Sequence, residues 1–218
     1  MGEKKIDPVL DGMEFSIVHF AGVEKKNKVF EGKKLEEVSA YDPTEKARWV
    51  KGAMVRLDAL VDERTRGQIM GYCGAMCAAV WRKNIEEAKE KLKKHGNLDE
   101  YLKAEGIPRE GDVVYSTYTP YKDGRRCYCL GNGLPAEETM SPTYCRCGTG
   151  HVKAFWEGLL ERPVKVELLQ SAISGGKECK FAVHLVDKVP EEQFKCKTCG
   201  VAFETTKELE EHEAASKK

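Results

Sequence analysis

Apolar residues recur at helical spacing in the stretch that follows Asp42-Pro43. Asp42 is a suitable N-cap, Pro43 fits the first helical position, and Glu45 lies three residues after the cap, as in a capping box. The pattern predicts an amphipathic helix that continues to about Val61. Further helices are predicted over residues 62–73, 75–95 and 97–105, so that residues 42–110 form a helical region.

A different pattern begins at residue 111, where apolar and polar positions alternate. Alternation with period two is typical of strands that bury one face. It predicts strands over residues 112–119, 125–130, 163–169 and 178–186, with one helix between them over 148–161. Residues 111–187 are therefore predicted to form a mixed α/β region.

The two ends of the chain have weaker patterns. Residues 1–41 are poorly defined, with 14–22 compatible with a short strand and the lysine-rich 24–34 with a solvated loop or hairpin. Residues 187–193 form a charged linker, and 194–218 are predicted to be a separate small module. The expected fold class is α+β, with a helical N-terminal half that packs on an antiparallel α/β half.

Charge and composition exclude several classes of partner. The 218 residues carry 36 basic and 36 acidic side chains, so no global positive field attracts nucleic acid or an anionic membrane. The longest uncharged stretch, 67–81, is too short and too rich in glycine to span a bilayer. The first residues contain no apolar segment of a secretory signal, so we expect a cytoplasmic protein. The oligomeric state stays open, and a dimer is compatible with the sequence.

Cysteine is the residue type that points to chemistry. Nine cysteines are an odd number and a high one for a cytosolic chain. Six of them form the close pairs Cys127/Cys129, Cys145/Cys147 and Cys196/Cys199. In a reducing compartment, such pairs favour metal binding over disulfides.

The C-terminal module resembles a Cys2His2 zinc finger. Cys196 and Cys199 are separated by two residues, and His212 follows twelve residues further on, which lets a hairpin and a helix share one zinc ion. The fourth ligand is open: water, Glu213, the terminal carboxylate or a group from elsewhere. Residues 191–218 carry net charge −2, which argues against nucleic-acid binding and favours a protein partner or a structural role.

The central cysteines predict a second site. If their segments are extended, Cys127 and Cys129 face one way, as do Cys145 and Cys147. The loop between the pairs is long enough to bring four thiolates to one zinc ion or iron–sulfur cluster. Cys73 and Cys77 either complete this site, form a separate reactive pair or are two small buried hydrophobes.

Two further residues have competing interpretations. Cys179 alternates with Phe181 and Val183 on one strand face, which favours a place in the core over metal ligation. His151 follows Cys147 by four residues and is either a ligand or a residue on a helix face.

The stretch 144–185, with its Cys-Arg-Cys-Gly-Thr-Gly-His start and its Gly176-x-x-Cys179-x-Phe181 hairpin, resembles the end of 4-vinyl reductase domains. The resemblance implies a TRAPP-like α/β fold that binds small hydrophobic molecules or acts as a sensor. Zinc-holding relatives would place ligands at Cys145 or Cys147, Glu167 and Cys179, while Gln170 stands at the position of a further cysteine. The chain also resembles uncharacterised prokaryotic proteins that combine a Cys-Gly-x-x-Cys helix with two Cys-x-Cys pairs.

Three functions are compatible with these features. The leading one is a zinc-binding protein that senses a small ligand or regulates a partner. The rival is a metal- or thiol-dependent enzyme, hydrolytic or redox, although the sequence contains no Ser/His/Asp order, phosphate-binding loop or His-Glu-x-x-His helix. The third is an interaction adaptor. An open metal coordination position would favour the enzyme, and an apolar cavity would favour the sensor.

Overall fold

The computed structural model describes residues 7–118, 125–131, 133–185, 194–195 and 202–203. These residues form an α+β fold, which confirms the predicted class. Their helices are α1 (Pro8–Phe30), α2 (Leu35–Ser39), α3 (Pro43–Leu60), α4 (Glu63–Val80), α5 (Arg82–His95), α6 (Leu98–Ala104) and α7 (Arg146–Leu160). Their strands are β1 (Arg109–Glu110), β2 (Val113–Tyr118), β3 (Arg125–Arg126), β4 (Leu134–Pro135), β5 (Lys165–Gln170), β6 (Cys179–His184), β7 (Phe194–Lys195) and β8 (Ala202–Phe203).

The helical region follows its sequence signals except at one boundary: the break predicted between residues 73 and 75 lies instead at Trp81, between α4 and α5. The Asp42 carboxylate accepts hydrogen bonds from the backbone N–H groups of Thr44 and Glu45, at 2.7 and 2.9 Å, and so caps α3 as predicted. Asn97 caps α6 in the same way through Glu100. Helix α4 continues through its glycines to Val80. None of the described helices combines the length and the apolar character that a membrane span requires.

The predictions for the N-terminal segment were wrong. The stretch 14–22 is no strand, and 24–30 is no loop, because both belong to α1. Asp7 caps this helix and Pro8 occupies its first turn, while Met13 and Ile17 are fully buried one turn apart. Gly22 has φ 86°, so the helix kinks there.

An antiparallel sheet forms the second half, in the order β1-β2-β6-β5. Strand β2 pairs with β6 so that Tyr118 lies opposite Cys179 and Val114 opposite Val183. The three longer strands, β2, β5 and β6, fall where alternation predicted them. Helix α7 covers the sheet, and its buried Trp156 donates an indole hydrogen bond of 2.9 Å to Ser116 on β2.

The predicted strand over residues 125–130 is mostly wrong. Strand β3 ends at Arg126, Cys127 has the left-handed φ of 65°, and a 3-10 helix follows over Tyr128–Leu130. The second Cys-x-Cys pair is not extended either, since Cys145 ends the 3-10 helix Pro142–Cys145 and Cys147 lies in the first turn of α7. Neither Cys-x-Cys pair therefore lies in a strand, so the alternation of side chains along a strand does not determine where these thiols point.

The buried residues form two hydrophobic cores. The first lies among α1, α2, α3 and α4 and contains Cys73, Cys127, Cys145 and Cys147. The second lies between α7 and the sheet, around Trp156. Leu168 is packed against both, so the cores are neighbours.

Helices α4 and α7 meet closely enough that glycine is required in their contact. A Cβ atom on Gly74 would overlap the carbonyl oxygen of Cys147 and lie 2.7 Å from the His151 backbone nitrogen. A Cβ atom on Gly150 would overlap the Gly71 carbonyl oxygen in the same way. Because backbone atoms are on both sides, neither contact can be relieved by a side-chain rotation. This α4–α7 contact brings Cys73 and Cys77 beside the start of α7.

The C-terminal module is described only in part. Phe194 pairs with Phe203 and Lys195 with Ala202, so β7 and β8 form an antiparallel pair. The predicted finger ligands Cys196, Cys199 and His212 lie outside the described residues.

Candidate metal centre

A small cavity of about 80 Å³ lies where the two cores meet. Val9 of α1 and Tyr144 line it from the first core, and Val152 and Phe181 line it from the second. Six cysteines contribute to its wall: Cys77, Cys127, Cys129, Cys145, Cys147 and Cys179. We call this cavity, with its six cysteines, the thiol pocket.

Four separate segments carry the cysteines to the pocket. Helix α4 carries Cys77, with Cys73 one turn earlier on the same side of the helix. The turn after β3 carries Cys127 and Cys129, and the junction between the 3-10 helix and α7 carries Cys145 and Cys147. Cys179 begins β6. The convergence is thus produced by tertiary contacts rather than by local spacing.

The thiols are joined in pairs by hydrogen bonds. The Cys127 thiol donates to Cys129, and the Cys145 thiol donates to Cys179. The Cys147 thiol donates to Cys73, whose own thiol lies 3.6 Å from the Val9 carbonyl oxygen. The Ser171 hydroxyl donates to Cys145 at 2.9 Å. Two of these pairs join thiols that are distant in sequence.

These hydrogen bonds and burial perturb the pKa values of the thiols. Burial raises the pKa of Cys77 to about 11, and hydrogen bonding with burial raises the pKa values of Cys127 and Cys147. The hydrogen bond from Cys145 lowers the pKa of Cys179 to about 6. Since the thiolate is the metal-binding and nucleophilic form of cysteine, Cys179 is the thiol of its pair that ionises first.

Cys129 is a second thiol whose pKa is lowered, as it is for Cys179. It is exposed as a residue, although burial acts on its thiol. The hydrogen bond that it accepts from Cys127 outweighs burial and lowers the pKa of Cys129. The pocket therefore contains two thiols, Cys129 and Cys179, whose surroundings favour the thiolate.

The wall of the pocket also contains polar groups that are not thiols, among them those of His151 and Tyr144. His151 lies in the wall, and burial lowers the pKa of its imidazole, which keeps the neutral, ligating form. The Tyr144 side chain is 1% exposed, and burial raises the pKa of its hydroxyl well above the usual value. The Tyr144 hydroxyl oxygen is buried, and no group within the described part of the chain forms a hydrogen bond with it.

The donor set suits a thiophilic metal ion in its chemistry. Zinc prefers cysteine sulfur and histidine nitrogen, and all of these donors are within one cavity wall. Within the described residues, however, no three His, Cys, Asp or Glu side chains are grouped closely enough to hold an ion. The thiols are instead engaged with one another, so ligation would replace the hydrogen bonds between thiols by bonds to the metal.

A second, larger cavity of about 300 Å³ adjoins the thiol pocket. The two share Val9, Cys77 and Cys129 as lining residues. We call the larger cavity the chamber. Trp81, which is half exposed, lines it and donates an indole hydrogen bond to Cys77. The ion pair of Lys46 with Asp7, at 2.7 Å and largely shielded from solvent, also belongs to its wall. Its volume is at the lower end of the range for small-molecule sites, roughly 300–1,000 Å³.

The structure places the residues predicted as metal ligands in different surroundings. The structure brings together all six cysteines that were predicted as central ligands. Five of them line the thiol pocket: Cys77, Cys127, Cys129, Cys145 and Cys147. The sixth, Cys73, accepts a hydrogen bond from Cys147. Whether they hold a metal stays a prediction. Glu167, implied by the 4-vinyl reductase resemblance, is exposed and faces His184 at 3.7 Å, outside the pocket wall.

Cys179 is the residue that sequence reasoning placed differently. Alternation assigned it to the face of the core, yet it is only half buried and lines the pocket. Cys179 is the first residue of β6, at the edge of the core. It can therefore lie on the core-facing side of the strand and also line the pocket. The resemblance to zinc-holding domains was the one signal that singled it out.

A family of unknown function (DUF6144) matches residues 16–190. The chain belongs to the DUF6144 family. The DUF6144 match includes every cysteine of the thiol pocket together with Cys73, and it ends before Cys196, Cys199 and His212. The cysteines of the pocket are thus part of the region matched to DUF6144, and residues 194–218 lie outside that region. No curated protein and no solved structure matches the chain.

Proposed function

We propose that this chain is a cytoplasmic metal-binding protein that holds zinc in the thiol pocket and senses a small apolar ligand in the chamber. One observation carries the proposal: six cysteines from four separate segments line a single cavity. Buried thiols that were only small hydrophobes would have no reason to share one wall. Cys127, Cys129, Cys145 and Cys147 are the proposed ligands, with Cys73 and Cys77 as further candidates and an iron–sulfur cluster as the alternative occupant.

The chamber supports the sensing part of the proposal. A metal-bound thiolate at Cys77 or Cys129 would lie on the border between the pocket and the chamber. A ligand in the chamber would therefore act directly on the metal centre. The same border supports the second candidate function, an enzyme in which the ion keeps a coordination position open toward a substrate in the chamber.

The C-terminal module enters the proposal as a separate element. Cys196, Cys199 and His212 would bind a zinc ion of their own, and the acidic helix predicted there would contact a protein partner rather than nucleic acid. The resemblance to 4-vinyl reductase domains agrees with a small hydrophobic ligand, which zinc-holding members of that fold keep near the metal.

The metal content of the purified chain tests the proposal. The experiment uses the full chain with Cys196→Ser and Cys199→Ser, which we call the finger-silenced chain, purified without oxygen. We expect about one zinc per chain, because the thiol pocket offers the four ligands that zinc takes. Cys129→Ser and Cys147→Ser, each in this background, should remove nearly all of it. Elemental analysis measures the content, and visible absorbance would identify an iron–sulfur cluster instead.

Ser39→Ala is the control, since Ser39 is exposed at the end of α2 and lines neither the thiol pocket nor the chamber. It should keep the full metal content. If the Cys129 and Cys147 variants also keep it, the pocket thiols are not a ligand set and the proposal fails.

Ligand binding in the chamber is tested separately, with indole as an uncharged aromatic probe. We expect the loaded chain to bind it by contact of its ring with Trp81, which lines the chamber. Trp81→Ala should weaken binding about tenfold, since a buried aromatic contact is worth roughly 1–2 kcal/mol. Isothermal titration measures the affinity.

Val80→Ala provides the control for this titration. Val80 is exposed beside Trp81 but does not line the chamber, so its replacement should leave the affinity unchanged. Equal loss of affinity in both variants, or no binding of the probe to the parent chain, would count against a ligand site at Trp81.

A further inference from the structure

The thiol pocket contains a buried hydroxyl, that of Tyr144, which has no hydrogen-bond partner among the described residues. Tyr144 is 1% exposed. A buried hydroxyl without a partner costs about 1–3 kcal/mol, and such groups are rare in folded proteins. Its presence in the wall of a cavity therefore points to an acceptor that the bare chain does not supply.

The neighbours of Tyr144 indicate what that acceptor is. Tyr144 lines the same small cavity as the thiols of Cys127, Cys129, Cys145 and Cys147. A protonated thiol is a weak acceptor and is itself a donor. The Cys127 thiol, for example, already donates to Cys129. The surroundings of Tyr144 are thus rich in sulfur but poor in charge that would attract its proton.

Metal binding changes this balance, because cysteine ligates as the thiolate and gives up its proton. We infer that Tyr144 donates a hydrogen bond from its hydroxyl to a metal-bound thiolate of the thiol pocket, and so orients that sulfur and stabilises its charge. The inference rests on the proposed metal site. It makes Tyr144 a positioning residue, of the kind that typically changes metal affinity about 10- to 100-fold when it is replaced.

The backbone that carries Tyr144 is anchored by its neighbours. Ser141 caps the 3-10 helix Pro142–Cys145, and its hydroxyl accepts a hydrogen bond from the Thr143 N–H at 3.2 Å. The Thr143 hydroxyl in turn donates to Asp58 on α3 at 2.7 Å. This anchoring fixes the backbone on which Tyr144 and Cys145 lie side by side.

The test compares Tyr144→Phe with the parent in the finger-silenced full chain, with Co²⁺ as the probe. We expect the variant to bind Co²⁺ about tenfold more weakly and to shift the thiolate-to-cobalt charge-transfer band, since a sulfur has lost its donor. Without metal, Tyr144→Phe should melt at the same temperature as the parent or higher, because a buried hydroxyl without a partner has been removed. A purely structural role would instead lower the melting temperature and leave the band in place.

Tyr101→Phe is the matched control. Tyr101 is 3% exposed but belongs to the second core, away from the thiol pocket. It should leave both the cobalt affinity and the spectrum unchanged. A Tyr144→Phe chain with the parent's affinity and spectrum overturns the inference alone, as does one that is destabilised without metal. A parent chain that takes up no Co²⁺ overturns the proposed metal site and the inference with it.

Discussion

Gly74→Ala is expected to lower the free energy of unfolding by about 3 kcal/mol, the upper end of the usual cost of overpacking a core. The added methyl group would overlap the Cys147 carbonyl oxygen and approach the His151 nitrogen, both of which are backbone atoms of α7. Helices α4 and α7 would therefore have to separate. Since Cys73 and Cys147 face each other across this contact, the thiol pocket would be disrupted as well. Urea unfolding followed by circular dichroism measures the change.

Gly71→Ala is the control, on the same helix and one turn earlier. A Cβ atom there meets nothing within 4 Å, and alanine is favoured over glycine within a helix by roughly 1 kcal/mol. Gly71→Ala should therefore be neutral or stabilising. If both variants unfold at the same urea concentration as the parent, the helices do not approach as closely as the structure has them.

Zinc loading is expected to raise the free energy of unfolding of the finger-silenced chain by about 4 kcal/mol when free zinc is about 1,000 times the dissociation constant. The physical reason is that the unfolded chain cannot assemble ligands drawn from α4, the turn after β3 and the start of α7. The binding free energy of the site thus becomes folding free energy. Thermal or urea unfolding at controlled free zinc measures the shift, and a chelator should reverse it.

The chain with both Cys129→Ser and Cys147→Ser is the control for this experiment. It retains the fold-determining helices but lacks two proposed ligands, so zinc should not change its stability. A parent chain with identical unfolding curves in zinc and in chelator would contradict a structural metal site, whatever amount of zinc it carries.

The sequence predicted helices correctly where a capping residue marks the helix end. The Asp42-Pro43 cap and Asn97 acted as expected, because capping involves only neighbouring residues. The alternation of β2, β5 and β6 also predicted real strands. Helix α1 was not predicted, because its C-terminal part is rich in lysine and the kink at Gly22 breaks the helical period of its apolar residues.

Only one of the two Cys-x-Cys pairs joins its own thiols: Cys127 donates to Cys129, whereas Cys145 and Cys147 each pair with a cysteine from another segment. Extended backbone was expected to direct both thiols of each pair to one face. Cys127 instead has a left-handed backbone followed by a 3-10 helix, and Cys145 and Cys147 flank a helix start. Side chains two residues apart in a helical turn point in different directions. Cys145 and Cys147 therefore reach different partners, Cys179 and Cys73.

The sequence by itself determined the α+β class, most helix ends and the inventory of soft ligands, because capping, periodicity and composition are local properties of the chain. Only the tertiary structure decided which thiols meet: Cys147 with Cys73 and Cys145 with Cys179. Those pairs depend on the glycine contact between α4 and α7 and on the position of β6, where residues far apart in sequence approach one another. Such approaches are determined by the mutual fit of packed surfaces, which no pattern within a single segment encodes.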